Sequence, residues 1–212
     1  MDFQRARTPE QIEDRQNEII HACKKIYREE GYEEVSLKRI SEMTSFTRPA
    51  IYGYYKTKEE IFLDILKNEF ALWKEDLEHR CTETTEYTRE QFCKMIADSM
   101  CDRTVLLELL AVHLNTIENN TRLERLVAFK KTVYACFDTI TQIIDRFFPD
   151  KDAKNKQAFF DIFITYLNGL HPHIFHSKIQ IEAMALAGRP HVERNLKQVC
   201  YQNLFLLTSD LK

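Results

Sequence analysis

Between Ser36 and Lys58 the chain sets five basic side chains, Lys38, Arg39, Arg48, Lys56 and Lys58, against one acid, Glu42, and carries Tyr52, Tyr54 and Tyr55 near its end. Five cations less one anion give a local charge of +4, inside a chain whose formal net charge is −3. Cationic side chains neutralise phosphates, an arginine fork can grip guanine O6 and N7, and a tyrosine offers both a hydroxyl and a ring. The chemistry available here is therefore non-covalent recognition of a nucleic acid. It must be confined to one patch, because the average field of the chain has the wrong sign for such binding. Catalytic groupings are missing: the sequence holds no nucleophile elbow, no P-loop, no HExxH and no paired-carboxylate signature.

Two short helices around a tight turn would present this patch. Ser36 caps the first, with Leu37, Ile40 and Met43 inward. Thr47 caps the second, with Pro49 in its first turn and Ala50 and Ile51 following. Ahead of them Thr8-Pro9-Glu10-Gln11 reads as a capping box opening a helix that Gly31 ends. Behind them Thr57-Lys58-Glu59-Glu60 and Thr88-Arg89-Glu90-Gln91 read as two more boxes, each opening a helix with an apolar inner side. Further helices are expected over Val105–Leu114, Arg122–Phe148, Ala158–Leu170 (ended by Gly169 and Pro172), Lys178–Leu186 and His191 to about Leu207. The Ala158–Leu170 segment is apolar on two sides, Phe159, Ile162, Phe163 and Tyr166 against Phe160, Ile164 and Leu167, so one side is expected to meet a partner subunit.

The expected fold class is all-α, with 44% hydrophobic residues, only four glycines and no alternating strand pattern. A boundary near Thr57 would separate an N-terminal helix-turn-helix domain, 1–57, from a C-terminal helical domain, 58–212. No run of about 18 apolar residues suggests a membrane helix. The N-terminus lacks the apolar segment of a signal peptide, which points to the cytoplasm. The six cysteines, 23, 81, 93, 101, 136 and 200, form no CxxC pair and read as small buried hydrophobes, with a thiol sensor as the alternative.

The stretch IIHACKKIYREEGYEEVSLKRISEMTSFTRPAIYGYYKTKEEIF resembles the TetR family of transcriptional regulators. The resemblance spans roughly residues 12–67. Its marks are Gly31-Tyr32 after the first helix, Ile40 separated by five residues from Phe46-Thr47, the run Ile51-Tyr52-Gly53-Tyr54-Tyr55, and Thr57-Lys58-Glu59. It implies a homodimer that places two reading helices in successive major grooves of a palindromic operator. It also implies a small-molecule pocket in each C-terminal domain and a dimer interface built from the last long helices. Three positions depart from the pattern. Thr44-Ser45 stands where Ala-Gly is usual, with a modest steric cost if Ser45 must take φ > 0. Pro49 replaces a glycine, and Tyr55 replaces a phenylalanine.

Within that frame Thr47 and Arg48 lead the reading helix into the groove, Arg48 as a base or phosphate contact rather than a merely solvated cation. Tyr52 is set for phosphate or a thymine methyl, with a half-buried packing role as the alternative. Tyr54 and Lys58 are set for phosphate, Lys58 aided by the start of its helix. Ser36 and Lys38 are weaker phosphate candidates, Tyr55 packs on Ile61 and Phe62, and Arg5 and Arg7 either lie free or touch the minor groove. Phe70, Trp73, Phe92, Met95, Met100, His113, Phe129, Tyr134, Phe137 and Tyr166 lie on expected inner faces. Each alone reads as core; together they can line an apolar pocket for a small hydrophobic effector. His171, His173 and His176 could bind Zn²⁺ or Ni²⁺, but no Cys or carboxylate in the segment completes the set, and a polar loop near the dimer interface is preferred. No metal or cofactor is assigned. The expected activity is that of a ligand-released repressor, with metal or thiol switching, or no ligand switching, as alternatives. The effector signal would travel through the helix from Lys58 to about His79.

Overall fold

A computed structural model describes residues 8–84 and 86–211. All its regular structure among these residues is helical, and the chain falls into two compact units. The first takes the chain up to Lys67 together with Asn115–Lys130; the second holds Asn68–Leu114 and Lys131–Lys212. The first unit thus extends past the boundary expected at Thr57 and recruits a segment distant in sequence. The arm residues Arg5 and Arg7 lie outside the described residues.

In the first unit, α1 (Pro9–Glu30) opens on the capping box read from the sequence, with Thr8 accepting from the Gln11 N–H and Gln11 returning a bond to the Thr8 N–H. It closes at Gly31, whose φ of 94° suits a residue without Cβ. α2 (Leu37–Glu42) is capped by the Ser36 hydroxyl, and α3 (Arg48–Tyr54) follows Thr47. Ile19, Cys23, Ile26, Ile40, Phe46, Ile51 and Tyr55 are buried, so α1, α2 and α3 share one core. Ser45 does not take a positive φ, correcting that expectation; glycines alone do so among the described residues. The Glu18 carboxylate of α1 instead fastens the turn, accepting from the Ser45 N–H at 2.7 Å and its hydroxyl at 3.3 Å. α4 (Lys58–Glu83) and α8 (Leu123–Phe147) begin here, and α7 (Leu114–Asn119) lies here apart from its first residue.

The second unit contains the rest of α4 and α8 together with α5 (Arg89–Cys101), α6 (Thr104–Val112), α9 (Ala153–Ile174), α10 (Lys178–Leu186) and α11 (Leu196–Leu207). α11 packs on α5 and α9 on α6. Phe92 sits edge-on to Phe147, Phe148 and Phe159, with centroids 5.1–5.8 Å apart, an arrangement that adds to plain area burial.

Three expected bounds are corrected. The helix expected over Val105–Leu114 stops at Val112, and a separate helix starts at Leu114. α9 runs through Gly169 and Pro172, starting at the Asp152 cap; the Phe175 N–H still reaches the His171 carbonyl at 2.9 Å, so Pro172 costs one bond in the last turns rather than ending the helix. α11 begins at Leu196 and not at His191, because Asn195 supplies the cap, accepting from the Gln198 N–H at 2.9 Å. α9 turns Phe159, Phe163, Leu167, Leu170 and Ile174 inward and leaves Ile162 49% exposed. α10 buries none of its residues.

Candidate nucleic-acid interface

α3 is seven residues long, too short to hold its shape by backbone bonds alone. Buried Ile51 and Tyr55 anchor one side of it, which leaves Thr47, Arg48, Tyr52 and Gly53 exposed on the other. Arg48 and Tyr52, one turn apart, form an ordered pair: Nη2 donates to the tyrosine hydroxyl at 3.1 Å, and the guanidinium lies 5.5 Å from the ring centre. Thr47 makes no side-chain capping bond to the α3 backbone. Beside α3, Lys38 is exposed, and the exposed Ser36 hydroxyl is held by the Arg39 N–H at 3.1 Å. Arg39, which contributes to the basic count, is turned into ion pairs with Glu30 and Glu42.

Two candidates sit differently from a simple surface contact. Tyr54 is half-buried. The Lys58 ammonium is folded inward, 2.9 Å from the Tyr32 carbonyl and 4.2 Å over the Tyr32 ring. A phosphate would have to draw it out. Tyr55 is fully buried, as its packing role requires, and its hydroxyl donates to Asp64 at 2.9 Å. Burial, with Asp64 beside it, raises the pKa of that hydroxyl.

The C-terminal end of α3 carries partners that the sequence did not disclose. Glu60 is fully buried and accepts from the Lys56 N–H at 2.7 Å and from Arg122 Nη2 at 3.0 Å. The expected capping box is therefore half present: Thr57 Oγ1 accepts from the Glu60 N–H at 3.2 Å, but the Glu60 carboxylate turns to Lys56 and Arg122 rather than back to Thr57. Burial pushes the Glu60 carboxyl up; Arg122, the Lys56 amide and Arg125 more than offset this and hold its pKa below the usual value. Arg125 Nη1 donates to Asp64 at 3.0 Å, Nη2 donates to the Tyr54 carbonyl at 2.6 Å, and the guanidinium stacks 4.7 Å over Tyr55. These partners lie 61 to 71 residues apart in sequence, beyond the reach of any spacing rule.

Of the ten effector candidates, nine belong to the second unit and Phe129 to the first. Phe129 is buried in the first unit. In the second, Phe70 lies 6.2 Å from both Trp73 and Phe137, and Trp73 Nε1 donates to Ser99 at 3.2 Å, so these groups are satisfied within the core. Phe92 and Met100 are buried, and His113 is half-buried at the α6–α7 break. Met95 borders a cleft of about 250 Å³ with Arg80, Thr84, Gln91 and Lys94. Half-buried Tyr166 borders a shallow cleft of about 380 Å³ with Asp161, Ile162 and Thr165. Tyr134 is 58% exposed, against the expected inner face, since it falls on the outer side of α8 with Leu123 and Val127.

The three imidazoles do not converge. His171 and His173 belong to the last turn of α9 and not to a loop. His171 stacks on Phe175 at 4.8 Å, His173 Nε2 lies 2.7 Å from Arg194, and His176 lies 4.9 Å from His191. Among the described residues no group of three or more His, Cys, Asp or Glu side chains could hold a metal ion. Burial pushes the Cys23, Cys136 and Cys200 thiols up to about 12, the opposite of activation for oxidation.

Residues 19–65 match the model of the bacterial regulatory proteins of the tetR family, and residues 67–209 match the tetracyclin repressor-like C-terminal domain. The chain belongs to the TetR family of bacterial regulatory proteins. It is 33% identical over 60 residues to the HTH-type transcriptional regulator YfiR of Bacillus subtilis, spanning 28% of this chain. It is 27% identical over 104 residues to the HTH-type transcriptional regulator HbdR of Aromatoleum sp., spanning 46% of this chain. These matches span 29% and 45% of those proteins' own lengths. Among solved structures it resembles a TetR/AcrR-family regulator of Thermobifida fusca (TM-score 0.63, 17% identity, 94% of this chain and 99% of that one). It also resembles Thermus thermophilus FadR in complex with lauroyl-CoA (0.56, 18%, 91% and 92%) and Bacillus subtilis FadR in complex with stearoyl-CoA (0.57, 16%, 91% and 97%). At these identities the likeness establishes the fold. No helix among the described residues is long and apolar enough to cross a membrane.

Proposed function

We propose that this regulator is a repressor that binds a palindromic operator as a homodimer and leaves it when a small hydrophobic molecule enters the C-terminal domain. The observation that carries the reading is the exposed Arg48–Tyr52 pair on α3, anchored from behind by Ile51 and Tyr55. Thr47 and Arg48 read base edges; Tyr52, Tyr54, Ser36, Lys38 and Lys58 hold phosphates. Exposed Ile162 and Leu206 on α9 and α11, with Ile179 and Leu186 on α10, supply the apolar surface for a second copy.

The effector class follows from chemistry shared with two relatives by fold. Both FadR proteins hold acyl-CoA molecules, and the second unit here is rich in Phe, Leu and Met side chains suited to an acyl chain. Long-chain acyl-CoA is therefore the first effector class to try. Because α4 belongs to both units, ligand binding can alter α3 placement through it, and a coupling of about 1–3 kcal/mol is enough for useful release.

The test is a gel shift of the full chain on its own upstream intergenic DNA at stated salt, with and without lauroyl-CoA, stearoyl-CoA and free fatty acids. Release by an acyl-CoA alone supports the reading; binding that none of them affects removes this effector class, and no binding to that DNA removes self-regulation.

A further inference from the structure

α3 lacks a side-chain cap at its start, and its C-terminal end is held by side chains of α4 and α8. That end presents carbonyls with no partner inside the helix and the negative pole of its dipole. A guanidinium is the group best suited to both, since it is permanently charged and can bond several acceptors in one plane. Arg125 fills this place. One of its nitrogens bonds the Tyr54 carbonyl at 2.6 Å and another bonds Asp64 at 3.0 Å, while its face covers the ring of Tyr55, which is itself hydrogen-bonded to Asp64. Glu60 completes the clamp: it holds the Lys56 N–H just past α3, bonds Arg122, and lies 3.5 Å from Arg125 Nε. Arg125 is only 19% exposed, so its fork is largely removed from competing water and its geometry is restricted.

We propose that Arg125 is a positioning residue for operator binding: from the first turn of α8 it sets the direction of the reading helix without itself touching DNA. α8 is one unbroken helix whose first eight residues, Leu123–Lys130, belong to the first unit and whose remainder belongs to the second. A small rotation or slide of α8 therefore moves the Arg125 fork directly and tilts α3 by its end. This gives the effector a second route to the DNA surface beside α4. The inference rests on α3 being the reading helix, and the experiment is arranged so that the two ideas fail separately.

Arg125→Lys keeps the charge and loses the planar fork; Arg125→Met keeps the length and loses the charge. Both are compared with wild type and with Arg48→Ala. The DNA probe is the duplex that the wild-type chain enriches from a random library, with an unrelated duplex as non-specific control. Three quantities are read: affinity for each duplex, its salt slope, and amide hydrogen exchange over residues 48–56. With Arg125→Lys we expect faster exchange of the α3 amides and a loss of specific affinity of roughly tenfold or more, the size of a typical coupling between sites. Non-specific affinity and its salt slope should be unchanged, because no phosphate contact is removed. Unchanged exchange and unchanged specific affinity in a folded Arg125→Lys would overturn the proposal. So would an equal loss on both duplexes with a shallower salt slope, which is the mark of a direct phosphate contact. If Arg125→Met does not fold, the lysine variant still decides. If Arg48→Ala keeps full specific affinity, it is the reading helix that has been misassigned.

Discussion

Arg48 and Glu60 stand at opposite ends of the same short helix and act in different ways. Arg48 is exposed and, among the described residues, paired only with a neighbouring tyrosine, so removing it should leave the fold intact and act on DNA alone. Arg48→Ala is expected to weaken operator binding by about 1–3 kcal/mol and to relax preference at one base pair, read by fluorescence anisotropy at fixed salt. An equal loss on every sequence would make it a phosphate contact instead. Glu60 is buried and acts on stability. Its folded-state pKa is depressed, so its stabilising effect is present above its unfolded value of about 4.3 and disappears as pH falls through the folded value. Glu60→Gln should cost about 1–3 kcal/mol at neutral pH, since the Lys56 bond survives while the charge facing Arg122 and Arg125 does not. Urea midpoints measured from pH 7 down to below 4 should show the gap between variant and wild type narrowing with acid. A constant gap would mean that the carboxylate charge is not what matters.

The helices show how far local chemistry can be read and where it stops. α1 and α10 lie where the sequence put them. Thr8 with Gln11 marks the start of the first, and the bounds expected for the second, Lys178–Leu186, match the Ser177–Gln180 box that caps it. The exposed side of α3 was legible too, because Ile51 and Tyr55 define its inner side by spacing alone. The clamp on its far end was not legible: Arg122 and Arg125 look like ordinary first-turn cations of a long helix, and only the fold brings them to Glu60 and Asp64. The effector candidates are ambiguous for a related reason, since aromatic residues that fill a core and those that line a cavity share one periodicity. At α11 the sequence does carry a usable start signal. Asn195, three residues before Gln198, marks the true start better than His191 does after Pro190. Asn195→Ala should therefore lower stability by about 1 kcal/mol in thermal denaturation. A helix starting at His191 would place Asn195 inside its first turns, and the same change would then be neutral or stabilising.

The second unit leaves Ile162 49%, Leu206 71% and Leu186 84% exposed, and α10 is opened by a capping box yet buries nothing. A nine-residue helix is marginal in water by itself, so packing must hold α10 in place when the protein works. In the homodimer we propose, a second copy of the chain supplies that packing and answers a separate need at the DNA. One α3 reaches only one half-site, and two of them spaced about 34–36 Å apart convert the second binding step into an intramolecular one. Ile162→Glu with Leu206→Glu should then act twice. Both side chains are exposed in the single chain, so the charges should leave its helix content unchanged while opposing association across an apolar face. Light scattering should show monomers at concentrations where the wild type is dimeric. Affinity for the full palindrome should fall towards that for a single half-site, while half-site affinity stays the same. If the doubly charged protein remains dimeric, the interface lies elsewhere in the chain, with the outer side of α8, where Leu123, Val127 and Tyr134 are exposed, as the next place to charge.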